Sequence, residues 1–223
     1  MASNKKIDRA LNGPGMIEIT LGVLLSVTLG VLLAALHLVF TPVEVVKKAV
    51  DDPDADKVYF VEGSQSGSKS GQWKRKRQMM ADGGPVEVSF NEDELNAWMS
   101  SVAPQGQQGD AAAAGFFTPD KVNFRVQDSV LQIGLTGKMA AAGITHDLVF
   151  QTRGQFEKGP EGFTFVPAEL YVGSLPVHAV PGLAPFFIKR ILAAQELPED
   201  IQATWKQLDM VVVENAVLRL NLP

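Results

Sequence analysis

KVNFRVQDSVLQIGLTG, residues 121–137, is the stretch whose reading decides the fold. Val122, Phe124 and Val126 alternate with polar neighbours, and so do Leu131, Ile133 and Leu135, which is the period of a strand with one buried face. Gln127-Asp128-Ser129 between them supplies turn chemistry, so the two runs predict an antiparallel hairpin. The same period continues through HDLVFQTRGQFE (146–157) and FTFVPAELYVG (163–173), joined by Lys158-Gly159-Pro160-Glu161-Gly162. Short connections of this kind predict an antiparallel meander. Gly134, Gly137, Gly154 and Gly173 lie within or at the ends of these strands and predict a strongly bent sheet, which makes a groove when wrapped on a helix.

Outward from the meander, VEVSF (86–90) reads as a further strand and Asn91-Glu92-Asp93-Glu94 as the start of a helix. Asn91 is a good N-cap, Glu94 completes a near capping box, and three carboxylates in the first turn suit the positive end of the helix dipole rather than a catalytic cluster. Leu95, Trp98, Met99 and Val102 then recur at helical spacing and predict a core-facing stripe. Residues 174–178 leave the meander, and PGLAPFFIKRILAA (181–194) reads as an apolar helix or broken helix. A short helix follows from Leu197 through Trp205, and residues 208–220 read as a closing hairpin around Glu214-Asn215. The predicted class is α+β, with a curved antiparallel sheet packed on helices over residues 86–223.

Ahead of this domain stands ITLGVLLSVTLGVLLAALHLVF (19–40), a run without a charge. At about 1.5 Å of rise per residue, a helix of this length crosses the roughly 30 Å hydrocarbon core of a bilayer. Lys5, Lys6 and Arg9 before it favour a cytoplasmic N-terminus, although Lys47, Lys48 and Lys57 follow soon after. A cleaved secretory signal is the competing reading. Its apolar core usually spans only about 7–15 residues before a small-residue site, whereas here Leu36-His37-Leu38-Val39-Phe40 continues the run. The expected organisation is a cytoplasmic tail (1–15), a transmembrane signal anchor (16–41), a juxtamembrane helix and linker (42–85), and an extracytoplasmic, periplasmic domain (86–223). Pro42 predicts a short helix over 42–50, and Asp51 to Asp56 lacks the spaced glycine and distal glutamate of a calcium loop. Within the span, Gly22, Ser26 and Gly30 repeat every four residues, the small-residue spacing that lets membrane helices pack closely. Lys74, Arg75, Lys76 and Arg77 lie on a predicted helix that either meets anionic lipid headgroups or is simply solvated.

Composition narrows the chemistry. A net charge of −5 disfavours nucleic acid as a partner, and the absence of cysteine excludes disulfides, thiolate catalysis and thiol-rich zinc sites. Three histidines leave little for metal or acid–base work, and His146 and Asp147, as strand neighbours, point to opposite faces. His178 reads as a structural or solvated loop histidine. No nucleophile elbow, P-loop, zinc-protease helix or dinucleotide fingerprint is present. A non-enzymatic protein without cofactor or metal is therefore expected. Apolar residues are in surplus: Trp98, Phe163, Phe165, Leu183, Phe186, Phe187 and Ile191 either line an elongated ligand cavity or fill the core.

The order VSFNEDELNAWM, LTGKM, two long strands, YVGSLPVH, an apolar helix and LPEDI resembles the YpmS-like family of membrane-anchored extracytoplasmic bacterial proteins. The matching motifs are Glu94-Leu95-Asn96, Val172-Gly173-Ser174-Leu175-Pro176 and Leu197-Pro198-Glu199, within residues 86–222. The resemblance implies an elongated sheet-and-helix design similar to tubular lipid-binding domains, and hence lipid or apolar-ligand handling at the envelope. The leading expectation is an anchored envelope protein that binds a lipid between the curved sheet and helix 181–194. The alternative is an accessory subunit docked through its span onto a larger membrane complex, with membrane lipids and other transmembrane proteins as partners. A hydrolase with an unrecognised site ranks last.

Overall fold

The computed structural model describes residues 13–67, 71–102, 117–127, 129–141, 143–160, 162–180, 182–184 and 199–223. The chain forms two units, one ending at Val39 and the other running from Phe40 to Pro223. In the first, helix α1 (Met16–Phe40, 25 residues) has no buried residue, and it is long and apolar enough to cross a membrane. Two of its hydroxyls are satisfied within the helix: those of Thr20 and Thr28 donate to the Met16 and Leu24 carbonyls at 2.9 and 2.8 Å. A helix in hydrocarbon requires that arrangement, because no water is there to take the bond.

The second unit is α+β, with mostly antiparallel sheets. It begins with β1 (Glu44–Val46), which pairs in parallel with β2 (Tyr59–Val61). The short helix expected over 42–50 is therefore not formed. The β-branched pair Val45-Val46 finds strand partners in Phe60 and Val61 instead, and Lys57 Nζ closes the pair on Glu44 Oε1 at 2.7 Å. The basic helix is present as α2 (Trp73–Ala81), followed by β3 (Val86–Asn91) and α3 (Glu92–Val102). The capping box at α3 is formed in both directions: the Glu94 N–H donates to Asn91 Oδ1 at 2.9 Å and the Asn91 N–H to Glu94 Oε2 at 3.0 Å.

The meander follows as β4 (Phe117–Gln127), β5 (Val130–Ala141), β6 (Ile144–Gly159) and β7 (Gly162–Val172), with the two-residue β8 (Leu175–Pro176) at the far edge. Val126 faces Leu131, and Phe124 faces Ile133, in the register that places the alternating apolar set on one side. A bulge at Arg153/Gly154 shifts β6 against β7, pairing Arg153 with Glu169 but Gly154 with Pro167. The long helix expected over 181–194 falls mainly outside the described residues, and α4 (Glu199–Gln207) is the next element.

The last two strands, β9 (Met210–Glu214) and β10 (Val217–Leu222), form the expected hairpin, but β10 also pairs with β3, from Val86↔Leu222 to Asn91↔Val217. The domain thus holds separate three-stranded and five-stranded sheets where a single curved sheet was expected. Between them lies the core, which includes Phe90, Leu95, Val126, Leu131, Val211, Val213 and Leu220. The β9–β10 turn uses Asn215 and Ala216 at φ 50° and 60°, the double left-handed conformation of a type I′ hairpin.

Two of the strand glycines serve as sockets for rings. A Cβ on Gly134 would stand 2.1 Å from the Phe60 ring, and one on Gly137 would stand 2.5 Å from the Phe117 ring. Gly154 sits at the bulge, where a Cβ would meet the Val166 carbonyl at 2.1 Å.

Candidate functional site

The site is built where the chain leaving β2 runs along the open edge of β4. Strand β4 is the first strand of the five-stranded sheet, so its outer N–H and C=O groups need partners from elsewhere. Side chains of α3 provide them at Phe124 and Val126, while residues 61–66 are fastened alongside by side chains of β4 and β5. Asn123 holds Gly63 by both backbone groups, accepting its N–H at 2.6 Å and donating to its carbonyl at 3.3 Å. Gln132 Nε2 donates to the Val61 carbonyl at 3.0 Å. Gly63 is required here, since a Cβ would lie 1.8 Å from the Phe124 carbonyl oxygen.

Helix α3 faces the same edge with polar side chains. Asn96 is 2 % exposed; its Oδ1 accepts the Phe124 N–H at 2.7 Å, and its Nδ2 donates to the carbonyls of Phe124 at 2.8 Å and Ser64 at 2.9 Å. One turn earlier, Glu92 accepts the N–H groups of Val126, at 2.9 Å, and of Ser64. Asp93 accepts the Ser64 hydroxyl at 2.8 Å and the Ser66 N–H at 2.6 Å. Glu94 accepts Lys76 Nζ on both oxygens at 2.7 and 2.6 Å, and Lys76 also donates to the Ser89 carbonyl at 2.6 Å. Beyond the helix dipole, Glu92, Asp93, Glu94 and Asn96 therefore each fasten a particular piece of neighbouring chain, while Asn91 caps the helix itself.

These contacts leave a polar cleft of about 560 Å³ beside the edge strand, lined among others by Lys47, Glu62, Glu92, Lys121 and Arg125. Lys121 pairs with Glu62 at 3.1 Å, and Glu92 is held by the two N–H groups. Arg125, half-buried on β4, and Lys47, exposed just after β1, line the same cleft without an ion pair among the described residues. A second cleft, of about 350 Å³, opens over Tyr59, Gln151, Arg153, Glu169 and Tyr171. There Arg153 is already engaged, with Glu169 at 3.6 Å and Gln132 at 3.2 Å.

The residues expected to line an apolar cavity fall into separate places. Trp98 packs between Trp73 and Phe90, with ring centroids at 6.4 and 5.3 Å. Phe163 and Phe165 pack against the core, Phe165 on Phe156 at 5.5 Å, while Trp205 donates from Nε1 to the Phe163 carbonyl at 2.8 Å. Neither cleft includes them. Leu183 is half-buried. Phe186, Phe187 and Ile191 lie outside the described residues.

Of the basic run, Lys74 and Arg75 are exposed, and Lys74 Nζ stands 5.7 Å from the Trp73 ring. Arg77 is half-buried. Lys76 is a correction to the surface-cluster reading, because its ammonium is turned inward onto Glu94. In α1, a Cβ on Gly22 or Gly30 would meet nothing within 4 Å. His178 is used locally, with Nδ1 3.0 Å from the Leu170 carbonyl and its ring edge-on to Tyr171 at 5.0 Å. No group of three or more His, Asp or Glu able to hold a metal occurs among the described residues.

No protein family, curated protein or solved structure matches the chain. Function is therefore read from geometry. In the sequence, Arg125, Lys47 and Gly63 belong to no motif that marks a site. Arg125 occupies the polar phase of an ordinary alternating strand, and Lys47 sits in a segment taken as a helix.

Proposed function

We propose that the chain is a single-span envelope protein with its N-terminus in the cytoplasm, whose α+β domain is a non-enzymatic binding module working at the bilayer surface. The observation that supports this most is the connection between span and domain. Residues 41–43 alone separate α1 from β1, a reach of about 10 Å when fully extended. A bilayer around α1 therefore lies close to the start of β1, and the headgroup layer is the first environment the domain can sample. Lys74 and Arg75, exposed on α2, supply cations of the kind that anionic headgroups attract.

The carboxylates that a hydrolytic reading would recruit, Glu92, Asp93 and Glu94, are each bound to backbone groups or to Lys76, which favours the binding reading. Native mass spectrometry of the full chain released from neutral detergent tests it. Retained lipid on the monomer is the expected result. Co-purification of a stoichiometric membrane partner without lipid would instead favour the accessory-subunit reading, for which the uncovered Gly22, Ser26 and Gly30 face of α1 is the supporting feature. Protease protection in sealed vesicles tests sidedness, with cleavage confined to the outer face expected for the domain.

A further inference from the structure

We infer that the cleft between the 61–66 segment and β4 is a phosphate-binding site, with Arg125 as its principal ligand and Lys47 as a supporting cation. The membrane-surface reading above decides only where that phosphate comes from. The chemistry follows from which charges are already used. Glu62 is neutralised by Lys121 at 3.1 Å. Glu92 has its oxygens occupied by the N–H groups of Val126 and Ser64 but keeps its charge, so the lining sets Lys47, Lys121 and Arg125 against Glu62 and Glu92 and is left net positive. Arg125 is half-buried and lines the cleft with no partner among the described residues.

Among the other cations on the sheets, Arg153 is paired with Glu169, Lys158 with Asp209, and Arg219 with Glu87 and Glu214, whereas Lys138 is exposed on the surface. A half-buried guanidinium without a carboxylate offers its planar fork of donors to a tetrahedral or planar oxyanion, the geometry in which arginine binds bidentately. Lys47, immediately after β1, adds a flexible point charge to the same lining. The volume, about 560 Å³, accommodates a whole polar headgroup rather than a bare ion, and the polar lining suits a headgroup better than an acyl chain. Two sources supply such a phosphate, an anionic lipid headgroup and a free phosphate or phosphomonoester.

Isothermal titration of the full chain in neutral maltoside detergent separates them, using dioctanoyl phosphatidylglycerol, dioctanoyl phosphatidylcholine and inorganic phosphate as probes. Saturable binding of phosphatidylglycerol, competed by phosphate and weakened at least tenfold in Arg125→Gln, is the expected result. Arg125→Lys is expected to recover part of the affinity, and Lys47→Gln to lose a few-fold. Lys138→Gln, at an exposed position of β5 outside the cleft lining, is expected to bind as the parent does. If phosphate binds through Arg125 but phosphatidylglycerol does not, the site stands and the headgroup source falls. Equal affinity of Arg125→Gln and the parent, with unchanged near-ultraviolet circular dichroism, overturns the site, as does absence of binding by both anions.

Discussion

Asn96 reads the backbone of Phe124 as a neighbouring strand would, accepting its N–H at 2.7 Å and donating to its carbonyl at 2.8 Å. A primary amide has one donor face and one acceptor face, and here both are matched to a single residue of an edge strand. Replacing Asn96 by Ala leaves that N–H and carbonyl buried without partners, at a cost of about 3 kcal/mol. Asn96→Asp keeps the acceptor alone and is expected to fall between the two. Thermal unfolding followed by near-ultraviolet circular dichroism measures this, and a parental midpoint for Asn96→Ala would refute it.

The 61–66 segment is also fixed sterically. At Gly63 a methyl would collide with the Phe124 carbonyl at 1.8 Å, and at Gly134 with the Phe60 ring at 2.1 Å. The first obstacle is backbone, and the second is a ring that is 0 % exposed. Both Gly63→Ala and Gly134→Ala are expected to destabilise by about 1–3 kcal/mol, the usual range for forced overpacking. They should also raise amide exchange selectively over residues 59–66, so uniform exchange across the domain would count against a docked segment.

Within the basic helix the four cations are not equivalent. Lys76→Ala strips the partner from a Glu94 side chain that is 2 % exposed, and losing one member of a buried pair costs about 3 kcal/mol or more. Lys74→Ala and Arg75→Ala, at exposed positions, are expected to stay within about 0.5 kcal/mol of the parent. Equal effects at all three positions would mean that Lys76 is not the inward-facing member.

The β1–β2 pair carries an alkaline signature. The hydrogen bond to Glu44, and then its negative charge, hold the Lys57 ammonium above its ordinary value of 10.5. A raised pKa means that the contribution is fully present below 10.5 and is lost as pH rises through the folded-state value. Lys57 should therefore be among the last lysines to deprotonate in a heteronuclear titration, and Glu44→Gln should bring it back toward the bulk of them. An Lys57 midpoint indifferent to Glu44→Gln would exclude the pairing.

The β9–β10 turn offers a stabilising change. Ala216 sits at φ 60°, a conformation that costs a side-chain-bearing residue about 1 kcal/mol. Asparagine followed by glycine is the preferred dipeptide of a type I′ turn, and Asn215 already fills the first place. Ala216→Gly is therefore expected to raise stability by several tenths to about 1 kcal/mol. A lower thermal midpoint would show that the turn is strained in another way.

Where a local period carried the information, it was readable in the residues. The alternation in Val122 to Leu135 marks the meander and its register, the Asn91 and Glu94 spacing marks the capped helix, and the uncharged run ending at Phe40 marks α1. Other features depend on meetings between distant segments. Nothing local tells that Val86 lies beside Leu222, that Glu44-Val45-Val46 exchanges a helix for a strand because Tyr59-Phe60-Val61 is available, or that Lys76 turns inward to Glu94. The cleft was illegible for the same reason. Arg125 and Lys47 belong to elements far apart in the chain, and each alone looks like a solvated cation.

The placement of β10 between β3 and β9 bears on how the protein is made. The central strand is synthesised after both of its neighbours, so the three-stranded sheet cannot close until Leu222 has emerged. By then α1 is long finished and available to the membrane, while Val88 and Phe90 of β3 still wait for the partner that will cover them. Maturation therefore passes through a chain with an open apolar strand, and removing Val217–Leu222 would arrest it there, with the edge of β3 left available to any other unpaired strand.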